Sequence, residues 1–204
     1  MEKYLTPIAI RALGFQAVTG AVSIFAGLFL GKRAKLSVTE RWVVVWWVYD
    51  VLTHFTLELP FLYLAWTDTT KTAIGFVPDV WREYSLADRR YVDAEANTVI
   101  VELLTVFFGA VLAVFIIEAI FNPKWYRHYL QICVCMAYLY GDAMYFGAEM
   151  WSGCENLATD DKYYFWVYLI FFNFLWVIFP LLLLWQSWNA IRDVYKRAER
   201  NKKK

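Results

Sequence analysis

Cysteine and histidine are scarce, with three of the first and two of the second in 204 residues. Cys133 and Cys135 sit two apart, so on a helix they point in different directions, and Cys154 stands alone in a loop. Neither a disulfide framework nor a zinc site is expected from that pattern. With His54 and His128 as the whole histidine complement, a histidine-rich di-iron centre is excluded. A carboxylate-rich one is not expected, and no metal or other cofactor is anticipated. Ser-rich linkers, low-complexity tracts and internal repeats are also missing, which predicts one domain over 1–204. Segments of about ten residues alternating polar and apolar, the mark of a membrane β-barrel, do not occur. A net charge of +1 gives no electrostatic reason for a polyanionic partner, and nucleic acid is not expected.

What the chain has in abundance is apolar surface. Hydrophobic residues make up 60% of it and aromatic residues 20%, with a positive mean hydropathy, which argues against an ordinary soluble domain. These residues are gathered into five runs, at about 8–30, 42–66, 97–121, 129–151 and 163–188. Each is long enough to cross a hydrocarbon layer of roughly 30 Å at 1.5 Å per helical residue. The expected fold is therefore all-α: a polytopic bundle of five transmembrane helices around a polar internal cavity. The first run is longer than a signal-peptide core and no small-x-small cleavage site comes after it, so it is expected to remain in the mature chain.

Basic residues alternate by side. Lys32, Arg33, Lys35 and Arg41 in the first connection, Lys124 and Arg127 in the third, and the 189–204 tail share one face of a five-span bundle. The positive-inside rule makes that face cytosolic and the N-terminus luminal, although Arg82, Arg89 and Arg90 dilute the contrast on the other side. The closing Arg-Asn-Lys-Lys-Lys reads either as an endoplasmic-reticulum retrieval tail or as a basic end held by anionic lipid. The 67–96 connection is long for a helical hairpin and mixes aromatics with charges, as an interfacial helix or lid does.

Ionisable residues at membrane depth cost roughly 2.5–3.5 kcal/mol each on insertion scales, so they face cavities or partners. Asp50, His54 and Glu58 are spaced i, i+4, i+8 and share one helical stripe. They are either a polar seam between helices or a proton-handling unit, since imidazole titrates near neutrality. Glu102, one turn from Thr105, is the conspicuous charge of the third run, and His54 is the one mid-span group positioned to pair with it. Tyr138, Asp142, Tyr145 and Glu149 form a second stripe, and Asn173, Trp176 and Pro180 a third. Trp176 is either packing or, beside these groups, an indole face for a cation.

Five stretches match a known family in order and spacing: Asp50-Val51-Leu52-Thr53-His54-Phe55-Thr56-Leu57-Glu58, Trp81-Arg82-Glu83-Tyr84 through Asp88-Arg89-Arg90-Tyr91, Val101-Glu102-Leu103-Leu104-Thr105, Leu139-Tyr140-Gly141-Asp142, and Phe172-Asn173-Phe174-Leu175-Trp176. From about residue 42 to 188 the chain resembles the emopamil-binding protein family (EXPERA domain), in both its sterol Δ8-Δ7 isomerase and its emopamil-binding-protein-like branches. The resemblance implies an isomerase that protonates a ring alkene at C9, forms a carbocation at C8 and loses a proton from C7. It implies catalytic His54, Glu58 and Glu102, with Thr105, Asn173 and Trp176 touching substrate; Asp50, Asp142 and Tyr84 are expected in the same set. A non-catalytic sterol- or amine-binding protein and an accessory subunit of a larger membrane complex stand as alternatives. Expected partners are a sterol or related lipid, cationic amphiphilic amines, membrane lipid, and a second copy or a larger assembly. The expected location is the endoplasmic reticulum membrane, with the mitochondrial inner membrane as the alternative.

Overall fold

The computed structural model describes residues 4–203; residues 1–3 and Lys204, the ends of the expected domain and tail, lie outside the described residues. Among the described residues there is no strand, and one isolated bridge joins Asp88 to Leu157. Six continuous helical segments are found among the described residues. They are α1 (Pro7–Arg33), α2 (38–66), α3 (Phe76–Tyr84), α4 (Ala96–Phe121), α5 (Arg127–Ser152) and α6 (Tyr164–Lys202). α1, α4 and α6 are long and apolar enough to cross a membrane. The other two long segments, α2 and α5, are the ones that bring Asp50, His54 and Glu58, and Gln131, Asp142 and Glu149, into the interior.

Local chemistry sets the ends. Thr6 caps α1 by accepting from Ala9 N–H at 3.0 Å, with Pro7 at the first turn, where a missing N–H costs nothing. Ser37 caps α2 through Glu40 N–H. Glu95 caps α4 by taking the N–H groups of Asn97 and Thr98, both at 2.9 Å. Gly153, at φ 88°, ends α5 in the left-handed region that glycine enters without strain.

Inside the helices, the backbone widens to an i→i+5 turn at Ala26–Leu30, His54–Glu58, Thr105–Ala110 and Tyr164–Phe172. In α2 the cause is in the sequence. Pro60 has no N–H and its ring crowds the carbonyl four residues back, so the helix opens and Leu59 N–H bonds His54 O instead.

The helices pack in the pairs α1 with α2, α2 with α4, α4 with α5, α5 with α6, and α1 with α3. Their shared core holds Val44 and Trp47 of α2, Ala113 and Ile116 of α4, Val134 and Cys135 of α5 and Leu183 of α6. Glycine allows two close approaches. A Cβ on Gly27 would run into the α2 backbone, 2.7 Å from Arg41 O, and one on Gly109 would meet the Tyr138 ring at 2.6 Å. Outward faces are apolar instead, with Phe25, Phe107, Phe115, Ile178 and Leu182 exposed.

Polar clasps close both ends. At one, Glu40 accepts from Arg127 at 2.5 Å and from Gln186 at 3.0 Å, while buried Gln131 donates to Leu183 O and Ser187. At the other, the 85–95 and 153–161 connections are stitched by Arg89 N–H to Asn156 O and Ala158 N–H to Ala87 O. Arg90 is buried there. It donates to both Asp88 oxygens, at 2.9 and 2.6 Å, and to Tyr145 O at 2.8 Å, and lies 3.6 Å from Glu149. Burial opposes its charge, but Asp88, Tyr145 and Glu149 outweigh that and hold the guanidinium above its ordinary range. All three arginines that blur the charge asymmetry are thus neutralised by carboxylates: Arg82 by Asp79, Arg89 by Asp93 and Arg90 by Asp88.

The clasp and the α4 cap each carry a stability that can be measured. Arg90→Met leaves Asp88 buried without its partner and is expected to cost about 3–5 kcal/mol, read as a lower melting temperature in detergent; Asp88→Leu combined with it should recover part of the loss. At Glu95, burial pushes the carboxyl up, but the Asn97 and Thr98 N–H bonds prevail and hold it below its usual value. A depressed carboxyl stabilises the fold above its unfolded pKa. The contribution of Glu95 should therefore be intact at neutral pH and fade as the pH falls below about 4.3 toward its folded value. Glu95→Ala should cost about 1 kcal/mol at pH 7 and much less at pH 3 in the same melting assay.

Candidate active site

The widened turns of α2, α4 and α6 meet around one pocket. Its lining includes His54 and Glu58 from α2, Glu102 and Thr105 from α4, Tyr138 and Asp142 from α5, and Asn173 and Trp176 from α6. Trp81, Tyr84 and Tyr91 close it from the 67–95 connection, and Ala12, Leu13 and Gln16 of α1 form a further wall. The space free of protein atoms, mouth included, is about 1030 Å³. That is at the upper end of the range usual for small-molecule sites.

Each polar group is held by a neighbour. His54 is 1% exposed, and both of its ring nitrogens are engaged. Nδ1 bonds the Glu58 carboxylate one turn on, and Nε2 lies 3.2 Å from Asp50 Oδ1 and 3.0 Å from the Tyr138 hydroxyl. Tyr138 in turn donates to Asp50 Oδ2 at 3.0 Å. Thr105 donates to Glu58 at 3.0 Å and to Glu102 O at 2.9 Å, and the Glu58 and Glu102 carboxyl groups adjoin. Glu102 Oε1 accepts from the Tyr91 hydroxyl at 2.5 Å. Burial, with Glu102 beside it, pushes the Tyr91 phenol well above its usual value, so it stays a proton donor.

On α6, the wide turn before Asn173 changes which carbonyls are within reach. The Asn173 amide donates to Tyr168 O at 3.0 Å, Leu169 O at 2.9 Å and the Tyr84 hydroxyl at 2.9 Å. Trp176 gives its indole N–H to Asp50 at 3.1 Å and meets the His54 ring edge-on, at 5.8 Å between centroids. Its other neighbours are Trp46 and Tyr49, at 5.5 and 5.9 Å.

Of the nine side chains that the sequence nominates, His54, Glu58, Glu102, Thr105, Asn173, Trp176, Asp142 and Tyr84 line the pocket. Asp50 does not. It is fully buried behind His54 and binds His54, Tyr138 and Trp176 instead of facing the space. The direct His54–Glu102 pair expected from the sequence is replaced by a line through Glu58. The i, i+4 neighbours of His54 on its own helix already occupy both ring nitrogens, so Glu102 meets Glu58. Tyr91 and the α1 wall are not among the residues the sequence nominates. Tyr91 belongs to the Asp88–Tyr91 stretch, with nothing local to say that it reaches Glu102, and Gln16 is one of several polar side chains, with Arg11, Thr19 and Ser23, in a largely apolar run.

Comparison with known proteins gives the family. Residues 76–187 match the family described as EBP: EXPERA (EXPanded EBP superfamily). That stretch carries Tyr84, Glu102, Thr105, Asp142, Asn173 and Trp176, with His54 and Glu58 preceding it. A probable 3-beta-hydroxysteroid-Delta(8),Delta(7)-isomerase of Oryza sativa subsp. japonica is 35% identical over 157 residues, covering 77% of this chain and 70% of the relative. The 3-beta-hydroxysteroid-Delta(8),Delta(7)-isomerase of Mus musculus is 26% identical, over 84% of this chain and 75% of its own length. A protoglabretal synthase of Ailanthus altissima is 28% identical, over 83% and 74%. With a family match over more than half of its length and a relative above 30% identity across most of both chains, this protein belongs to the EXPERA, or expanded EBP, superfamily.

Proposed function

We propose that the protein is a 3β-hydroxysterol Δ8-Δ7 isomerase, working by proton addition and removal within a bundle of five membrane spans. The observation that carries this reading is the meeting of the Glu58 and Glu102 carboxyl groups in a pocket otherwise walled largely by aromatic rings. Relatives named for this reaction support it. Moving a double bond from C8–C9 to C7–C8 needs a proton delivered to C9, a cation at C8 and a proton taken from C7; the electron count is unchanged. Two adjoining carboxyl groups divide that work, one delivering while the other receives. His54, with a carboxylate facing each ring nitrogen, holds protons for the Glu58 side of the pair. Tyr91 orients Glu102. Trp176, fixed through its N–H by Asp50, turns an electron-rich ring to the cavity where the cation forms. Cationic amphiphilic amines would occupy the same place as stand-ins for that cation.

The five-span reading rests on the outward faces. Exposed tryptophans sit at the ends of the two segments with polar interiors, Trp42 and Trp66 on α2 and Trp125 and Trp151 flanking α5, at the levels where indoles favour a membrane interface. The basic face, relieved of Arg82, Arg89 and Arg90 on the opposite side, is assigned to the cytosol of the endoplasmic reticulum membrane. A glycosylation acceptor inserted in 69–74 should be modified in cells and one inserted in 34–36 should not; the reverse pattern inverts the topology.

Catalysis has a direct test. Purified protein given a Δ8 sterol in heavy water should release Δ7 product carrying deuterium at C9. Glu102→Gln keeps the shape and loses the exchangeable proton, so kcat should fall by about 10²–10⁴-fold while an amine ligand still binds. Full turnover by that variant would remove Glu102 from the mechanism, and absence of product with sterol bound would defeat the isomerase reading.

A further inference from the structure

Among the carboxyl groups lining the pocket, Asp142 differs from the others. Glu58 is engaged by His54 and Thr105, and Glu102 by Tyr91. Asp142 has a buried oxygen, Oδ2, that meets no hydrogen-bonding partner among the described residues. A buried acceptor without a donor is costly by about 1–3 kcal/mol, and more when the group is charged. Its neighbours cannot relieve it, because the hydroxyls one turn away on either side are committed: Tyr138 donates to Asp50, and Tyr145 bonds Asp88. The group is thus suited to a donor arriving with the ligand.

Position narrows the donor. Asp142 lies four residues beyond Tyr138, which touches His54, and so about 6 Å along α5 from the level of the imidazole. Glu58 lies the same four residues beyond His54 on α2, and a Cβ on Gly141 would lie 3.8 Å from Val101, the neighbour of Glu102 on α4, so Asp142 stands on the α5 wall at the level of the carboxyl pair. A fused-ring substrate whose alkene lies at the carboxyl pair carries its ring hydroxyl at a fixed separation from it, and Asp142 is the carboxyl group among the described pocket residues left open to receive that hydroxyl. The relatives named as isomerases act, by name, on 3-beta-hydroxysteroids.

We propose that Asp142 accepts a hydrogen bond from the 3β-hydroxyl of the substrate and so sets which face and end of the ring system meet the carboxyl pair. Asp142 is a specificity and orientation residue in this assignment, taking no part in proton transfer. The substrate class rests on the isomerase reading, and the test separates the two. Equilibrium binding of a Δ8 3β-hydroxysterol and of its 3-methyl ether, which lacks the donor, is measured on the full chain in detergent. Wild type should prefer the alcohol by about 10- to 100-fold. Asp142→Ala should bring the ratio close to one, with ether affinity within about threefold of wild type, which also reports an intact pocket. Asp142→Val is run beside it in case the alanine variant does not fold, and Asp142→Asn, whose amide oxygen still accepts, should retain part of the preference. Equal affinity of wild type for alcohol and ether, an unchanged ratio in the alanine or valine variant, or no binding of either sterol would overturn the assignment. Alcohol preference that depends on Asp142 in a protein that forms no Δ7 product would sink the isomerase reading and leave this one standing.

Discussion

The buried carboxylate of Asp50 is the interaction on which the site depends. It accepts from Trp176 on α6 and Tyr138 on α5 and faces His54 on its own helix, so one side chain ties three helices and orients three pocket residues. A charge in that position is tolerable because each oxygen has donors directed at it; an uncompensated carboxylate there would be expelled or would pull in water. The consequence is a rigid imidazole with Glu58 on one nitrogen and Asp50 on the other. The geometry of the pocket's polar groups is thereby set by a group that does not itself touch the cavity. Gly109 has its part in the same arrangement, since any side chain there would displace Tyr138 and with it the Asp50 contact.

Backbone widening is the second device. The wide turns of α2, α4 and α6 each contain or adjoin pocket residues: His54 and Glu58, Thr105, and Tyr168 with Asn173. Each such turn rotates the helical segment on its C-terminal side against the one on its N-terminal side. Polar side chains at simple helical spacing are thereby re-aimed toward a common centre while flanking apolar residues still face outward. The carbonyls displaced from regular bonding need partners. In α6 Asn173 supplies them, which makes this asparagine a backbone brace as well as a wall of the pocket.

The ends of the bundle show the same economy of polar groups. Glu40, Arg127 and Gln186 fasten α2, α5 and α6 at one end, and Asp88, Arg90, Tyr145 and Glu149 fasten the connections at the other. The 67–95 connection is thereby more than an interfacial helix. It is anchored by a buried ion pair and places Trp81, Tyr84 and Tyr91 in the wall of the cavity.

Sequence alone determined the class of the molecule and nominated eight side chains that line its pocket. Five apolar runs match five long helices in position, because helix length and hydropathy are local properties that need no knowledge of neighbours. The ionisable residues stood out for an equally local reason, the cost of a charge inside an apolar run, and Asp50, His54 and Glu58 were legible as one stripe. Which groups touch is another matter. That His54 is saturated by Asp50 and Glu58, that Glu102 meets Glu58 and Tyr91, that Asp50 stands behind the cavity, that Arg90 is buried and that Asp142 is left with an open acceptor were decided only by the tertiary structure. Contacts between residues 50 and 176 or 91 and 102 depend on how helices rotate and pack, and helical periodicity carries no information about a partner on another helix or about a turn that widens by one residue.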